Sequence, residues 1–341
     1  MAASEVRRSM LLAAITDNAA SRGRYIEADF EAVGCDAPPP SVRPASAEVL
    51  ELELAETVIT LQMTAPPGAD GQGLGSSRWR LMHVADTSRL HLFTKNESTK
   101  CELWATLWSS SRVLAEILGG CAARDHLAGA LTLEIGAGSG LCGLVAASHG
   151  AFVTASDSSE QALGLIHQSA QLNGIASSHL ATRRLDWHSL GSAATSPESF
   201  DVVIGSDVLF LRMNVKAVAE TVDRYLAPGG LGVIMDPGRP SAEEFQSSIV
   251  DDEALGLDVE ALELGDVVVS PGRLLKRAVL YLLKRKGSPP TARSVSLRRG
   301  IIESWGFVAN RTRAVDRGTE MFVYTEDLVG ERRAAGSSAP I

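Results

Sequence analysis

Four clusters in this 341-residue chain have the residue types and spacing to do chemistry. The first is a glycine run, Gly136, Gly138 and Gly140, which ends the apolar stretch Leu131–Ile135 and has Glu134 two residues ahead of it. Glycines placed this way let the backbone take positive φ or come close to a ligand. A helix beginning at Leu141 would turn amide N–H groups toward whatever sits over the turn. The second is Asp157, just past the apolar stretch Ala151–Ala155, where a carboxylate can accept from the two hydroxyls of a ribose. The third is Asp186-Trp187, an acid able to bond an adenine amino group beside an indole able to cover the base. The fourth follows the apolar run Phe200–Ile204 and consists of Ser206, Asp207 and Phe210, an acid and an aromatic three apart. Each has a plainer reading: a tight turn, a surface acid, a core indole, and an acid bracing its own loop over a buried Phe.

The elements that must position these clusters follow from hydrophobic pattern. Short, mostly apolar runs at 131–135, 151–155, 200–204 and 231–235 read as strands, 200–204 of the buried parallel type, and Ala181–Leu185 reads as a further strand. Segments 141–148, 159–173 and 215–225 read as helices between them, with Asn173-Gly174 as a stop and Asn214 as a candidate N-cap. Strand–helix alternation predicts an α/β fold, and in open α/β sheets ligands bind beyond the carboxyl ends of the strands. The 21 residues from Gly136 to Asp157 make one turn–helix–strand step. The acids at 157, 186 and 207 then each close a successive strand along one pocket edge. The spacing G-x-G-x-G differs from the G-x-G-x-x-G dinucleotide fingerprint. Ahead of the turn, Val113, Leu114, Ile117 and Leu118 fall at helical spacing. Trp104 reads as core, and Trp108 as a wall for a bound ligand or as core.

Over about 99–240 these features together resemble the class I S-adenosylmethionine (SAM) methyltransferases, and within them the seven-β-strand protein-lysine methyltransferase group. The resemblance rests on the Trp108-to-Leu114 helix, LEIGAGSGLCGL, Asp157, Asp186-Trp187, and Asp207-x-x-Phe210, where the group more often has Tyr in place of Phe. The turn Asp236-Pro-Gly-Arg239 is similar to one in the electron-transfer-flavoprotein β-subunit lysine methyltransferase branch. The resemblance implies a doubly wound Rossmann-like sheet of order 3-2-1-4-5-7-6 with the last strand antiparallel. It implies SAM as cofactor and methyl transfer to a lysine of a protein substrate. Glu134 and Gly136 to Gly140 would face the amino acid end of the cofactor, Asp157 the ribose, and Asp186 and Trp187 the adenine. Trp108 and Ser206 would also contact it. Asp207 and Phe210 would be catalytic, Asp207 orienting the amine and Phe210 walling it. Alternatives are a methyltransferase for a small molecule or a non-lysine protein site, and a non-catalytic scaffold of the same fold.

The rest of the chain frames this domain. Residues 1–47 are Ala- and Ser-rich with a Pro-rich exit and read as disordered. Residues 48–98 alternate with period two and read as a β extension. The methyltransferase domain is placed at 99–285, with 286–341 read either as a C-terminal extension or as the source of the last strands. In the first arrangement Arg277–Leu283 is the final strand; in the second, Ser296–Trp305 is the last helix and Phe307–Val315 with Glu320–Thr325 the closing hairpin. The nine Lys and Arg between Asp266 and Glu303 form a solvated basic face or a dock for an acidic protein substrate. Net charge of −9 gives no field for nucleic acid or an anionic membrane. No apolar run approaches the ~20 residues of a membrane-crossing helix. The four cysteines form no CxxC pair and read as reduced thiols, no metal-ligand motif is present, and the expected state is a cytoplasmic monomer, with organelle targeting only weakly supported.

Overall fold

Alternating side chains at the start of the chain do what their period requires. The computed structural model describes residues 54–64, 74–85, 103–190, 198–270 and 273–315. Strands β1 (Leu54–Thr64) and β2 (Leu74–Val84) pair antiparallel, with Ile59 opposite Trp79 and Thr57 opposite Leu81. Ile59, Leu61, Trp79 and Leu81 are buried, while Leu54 and Val58 on the other face are exposed. This hairpin is hydrogen-bonded to a helix of the main sheet: Arg80 N donates to Asn173 Oδ1, Asn173 Nδ2 donates back to Arg80 O, and Met82 N donates to Ser169 Oγ.

Two helices, α1 (Ser109–Gly119) and the short α2 (Cys121–Arg124), lead into the central strand β3 (Leu131–Ile135), buried at all five positions. Then come α3 (Leu141–Ser148), β4 (Phe152–Asp157), α4 (Glu160–Leu172), β5 (Leu180–Arg184), β6 (Phe200–Ser206), α5 (Arg212–Tyr225), β7 (Leu226–Asp236) and α6 (Pro240–Asp251). The chain continues through β8 (Leu257–Ser270), β9 (Arg273–Arg285) and α7 (Ala292–Val315). The sheet order is β5-β4-β3-β6-β7-β9-β8. Counted from β3 as the first strand, that is 3-2-1-4-5-7-6, and β9 runs antiparallel to β7 and β8. The doubly wound sheet is therefore as expected. Successive side chains of each strand enter opposite cores. Leu131, Leu133 and Ile135 join Val218, Val222 and Phe245 of α5 and α6. Val202 and Ile204 join Leu114, Leu144, Ile166 and Leu297 of α1, α3, α4 and α7.

Three local readings are corrected. Strand β7 begins at Leu226, ahead of the expected start at 231, so Pro228-Gly229-Gly230 lies within it, at a register shift against β6. Helix α5 is capped by Leu211, and Asn214 sits inside the helix with its side chain buried. At the C-terminus the last strand is Arg273–Arg285, and residues 292–315, including 307–315, are helical. Leu297 and Ile301, four apart, are fully buried in the core, with Ile302 and Trp305 packed against them. Helical periodicity there outweighs the β-branched residues at the end of the segment. Glu320–Thr325, like 1–47, falls outside the described residues. Five cations of the basic run sit in ion pairs: Arg277 with Glu243, Lys284 with Asp258, Arg285 with Asp223, Arg293 with Asp201 and Arg298 with Glu260.

Candidate active site

The carboxyl ends of β3, β4, β5, β6 and β7 open on one cavity of about 730 Å³. Trp108, Gly136, Gly138, Asp157, Asp186, Trp187, Ser206, Asp207 and Phe210 all line it. Nine of the eleven residues singled out by sequence therefore meet in one place. The other two, Glu134 and Gly140, stand behind the wall.

The glycine turn makes room for a ligand by close approach. Gly136, Gly138 and Gly140 take φ of 57°, 50° and 72°, the left-handed region that costs other L-residues about 1–2 kcal/mol. A Cβ on Gly136 would lie 2.7 Å from the Trp187 ring and 2.9 Å from Val208, so this position admits no side chain. Three of the turn's amides are taken up within the fold. Ala137 N donates to Ser156 O, Gly138 N to Asp157 Oδ2 and Gly140 N to Ala137 O. Gly140 faces Ile166 of α4, where a Cβ would come within 2.7 Å, and serves as the left-handed N-cap of α3.

Glu134 is 3% exposed and does not reach the cavity. Its Oε2 accepts from Gly143 N at 3.0 Å, which ties β3 to the first turn of α3. Burial pushes its carboxyl up to about 8, against the pull of the Gly143 N–H and with a smaller push from Asp157. The expected contact with the cofactor is thus replaced by a brace beneath the turn. The pleat is the physical reason: Leu133 and Ile135 face one core, so Glu134 between them faces the layer that holds α3.

Asp157 ends β4 at the cavity wall. Its Oδ2 accepts from Gly138 N and its Oδ1 from Ser159 N, both at 2.9 Å. Burial raises its carboxyl, opposed by the N–H groups of Ser159, Gly138 and Ser158. A carboxylate has about four acceptor sites, so beside these three N–H groups the fixed carboxylate keeps a lone pair for a hydroxyl donor. Asp186 caps the turn after β5, accepting from His188 N at 3.0 Å and from the Ser189 hydroxyl at 3.2 Å. Between these acids lies Trp187, whose Nε1 is buried and has no hydrogen-bond partner among the described residues. An orphaned donor in a cavity wall is uncommon in native proteins and marks a place for a ligand or water.

The other end of the cavity is organised around Asp207. It is 7% exposed, has φ of 58°, and its N–H donates to Met235 O of the neighbouring strand at 2.9 Å. Arg239 Nη1 lies 2.5 Å from Asp207 Oδ1 and 3.2 Å from Asp236 Oδ2. The contact to Asp207 is an ion pair by distance, yet neither Asp207 oxygen accepts an aligned hydrogen bond among the described residues. Asp236 is better served: its Oδ1 accepts from Gly238 N and Arg239 N, both at 2.8 Å. Burial lifts Asp236 to about 6, against the attraction of Arg239. The guanidinium carbon of Arg239 sits 6.0 Å from the Trp108 ring centre, and Trp108 Nε1 donates to Leu103 O at 3.0 Å. Trp108 is therefore held at the Asp207 end. Phe210 lines the same end, beside the exposed Leu211 and Met213.

Sequence reasoning missed the Asp236–Arg239 part of this cluster, treating it as a turn. The signal was present: a fourth acid closing the next strand, with an Arg three residues on. His188 and Asn214 were also missed. His188 Nε2 and Asn214 Oδ1 are 3.1 Å apart, and Asn214 Nδ2 donates to Val208 O, linking the Trp187 turn to the Asp207 loop.

Fold and cavity together are those of a class I SAM-dependent methyltransferase, and SAM is the cofactor of that class. Residues 86–244 match the family model described as lysine methyltransferase. Among characterised proteins, histone-arginine methyltransferase METTL23 of Rattus norvegicus is 36% identical over 118 residues, 34% of this chain and 51% of that protein. The Homo sapiens protein of the same name is 35% identical over 118 residues, 34% of this chain and 60% of that one. The chain spans about half the length of the curated relatives it matches. A solved magnesium protoporphyrin IX methyltransferase from Synechocystis, with bound SAM, is 17% identical, with a TM-score of 0.40 over 52% of this chain and 80% of that one.

Proposed function

We propose that this chain transfers a methyl group from SAM to a side-chain nitrogen of a protein, with a lysine amine as the acceptor. The observation that carries the reading is Asp207: a buried carboxylate with no aligned hydrogen bond, in the same cavity as the glycine turn and Asp157. Leaving a buried acceptor unsatisfied costs about 1–3 kcal/mol, which an entering N–H donor would recover. Phe210 and Trp108 add aromatic faces, each worth about 0.5–1 kcal/mol or more to a cation.

The residues fit the cofactor. Gly136 and Gly138 supply the closely approached turn, Asp157 a fixed acceptor for a hydroxyl, and Asp186 with Trp187 the edge and face for a base. When bound, SAM supplies a methyl group on a sulfonium, already activated toward a nucleophile. The protein's part is to hold the acceptor in line and to favour its neutral form. A lysine amine has a reference pKa of about 10.4, and entry into a desolvated cavity lowers it. Asp207 and the aromatic walls fix the direction of approach, which is the larger part of what such a site must do.

The test is to incubate the purified chain and SAM with a cell lysate and with histones, then map the methylated residue by mass spectrometry. Methyllysine supports the reading. Methylarginine supports the second reading, favoured by the histone-arginine name of the relatives. Asp207→Ala should retain S-adenosylhomocysteine (SAH) binding within about threefold and lose at least about a hundredfold in turnover. Normal turnover in that variant refutes the role given to Asp207.

A further inference from the structure

Arg239 has a buried side chain in the acceptor half of the cavity. One of its nitrogens, Nη1, serves two carboxylates at once, Asp207 Oδ1 at 2.5 Å and Asp236 Oδ2 at 3.2 Å. Asp236 is anchored independently by two backbone N–H groups, so it fixes where the guanidinium sits. The Trp108 ring, 6.0 Å away, closes another side. Asp207 therefore meets any acceptor with one oxygen already covered by a cation of the protein's own. Neither oxygen accepts an aligned hydrogen bond among the described residues, and the close ion-pair contact with Arg239 is made at Oδ1.

That asymmetry has a chemical consequence. A guanidinium binds a carboxylate best through two parallel N–H···O bonds that use both oxygens. A primary amine needs one. We propose that Arg239 is a specificity-determining residue: by occupying Oδ1 of Asp207 it denies the fork contact to an arginine side chain and leaves a single-point site suited to a lysine amine. The proposal rests on the reading of Asp207 as the acceptor-facing carboxylate and goes beyond it by naming the residue that selects amine over guanidine. Asp236 is a positioning residue in this scheme, acting through Arg239.

The experiment uses the full-length chain loaded with SAH and two small probes, n-butylammonium and n-butylguanidinium, titrated separately by ligand-observed NMR. Arg239→Gln should raise the affinity for butylguanidinium relative to butylammonium by roughly tenfold, the worth of one further charge-assisted hydrogen bond. SAH affinity should stay within about threefold, since the cofactor half is not altered. Removing Arg239 alone leaves two buried acids facing each other, which can prevent folding. The double variant Asp236→Asn with Arg239→Gln relieves that repulsion and should show the same change in preference. Arg239→Lys, a point charge without the planar fork, should hold the wild-type preference. An unchanged ratio in the folded single or double glutamine variant overturns the proposal while leaving the acceptor reading intact. Failure of both probes to bind the SAH-loaded wild-type chain overturns the acceptor reading, and this proposal with it.

Discussion

Glu134→Gln separates a cofactor contact from a brace under the turn. In the unfolded chain this carboxyl titrates near its ordinary value of 4.5, and in the fold burial holds it at about 8. The native state therefore binds an extra proton between those two values. The sign follows: this group's contribution to stability is fully present below pH 4.5 and is lost as pH rises through 8. A shift of about 3.5 units at about 1.4 kcal/mol per unit sets a ceiling of about 5 kcal/mol. Glutamine keeps an oxygen to accept from Gly143 N and has no charge to desolvate, so its stability should not carry this dependence. For a domain of this size 1 kcal/mol is about 2–4 °C in Tm. With roughly half the ceiling realised, the variant should melt close to wild type at pH 5 and roughly 5–10 °C above it at pH 8.5. The assay is a pair of thermal melts across that range, with SAH titrations at pH 7. A Tm difference that stays constant within about 2 °C refutes the buried, proton-holding placement. A loss of more than about tenfold in SAH affinity by a fully folded variant refutes the brace and returns Glu134 to the cofactor wall.

Two further perturbations read other parts of the same construction. Gly136→Ala puts a Cβ 2.7 Å from the Trp187 ring at a φ of 57°. It should displace the indole, shift tryptophan fluorescence and weaken SAH binding by at least about tenfold, a cost of about 1.4 kcal/mol. Unchanged affinity would show that the turn does not border the cofactor. Asn173→Ala removes both hydrogen bonds that hold Arg80 of the hairpin to the end of α4. Loss of about 1–2 kcal/mol of local stability should appear as faster amide exchange in β1 and β2 with the main sheet unaffected. Uniform exchange changes across both sheets would refute that separation.

What was legible in the sequence was local. Leu131–Ile135 and Phe200–Ile204 are short, mostly apolar runs, the mark of strands buried on both faces, and the glycines that end the first are set by backbone geometry. Acids directly after such strands had to gather at one sheet end, and Asp157, Asp186 and Asp207 did so. What was not legible depended on the third dimension. Nothing in the neighbourhood of Arg239 shows that its guanidinium reaches a carboxylate 32 residues earlier, because β6 and β7 become neighbours only through the α5 crossover. The bond from Gly143 N to Glu134 was not legible either, although the pleat decides which layer Glu134 faces. The helix at 292–315 was obscured by weak amphipathicity: its buried positions Leu297 and Ile301 are interleaved with Arg298 and Arg299, which face outward.

The backbone of Asp207 explains why this buried acid needs its neighbours. A left-handed φ on a non-glycine residue is strained by about 1–2 kcal/mol, less for Asp than for bulkier residues. It persists here because the N–H of Asp207 is held by Met235 O across the strand boundary, while its carboxylate is held by Arg239 from the following turn. Both restraints come from β7 and the turn that leaves it, so the conformation of the β6 end is set by the next strand of the sheet. The charges follow the same geometry. Two acids and one arginine leave a single negative charge in a cavity end lined by Trp108 and Phe210. A positively charged side chain is drawn to such a site, and once desolvated it is pressed to give up its proton. The same charge that attracts the acceptor as a cation holds it protonated, so desolvation must outweigh that attraction before the neutral amine can act as a nucleophile. Asp207→Asn tests that link, because it keeps the shape and the N–H contact to Met235 while removing the charge. It should raise KM for the acceptor by about tenfold or more, the worth of a charged hydrogen bond. If KM is unchanged and only kcat falls, the charge is not what draws the acceptor in.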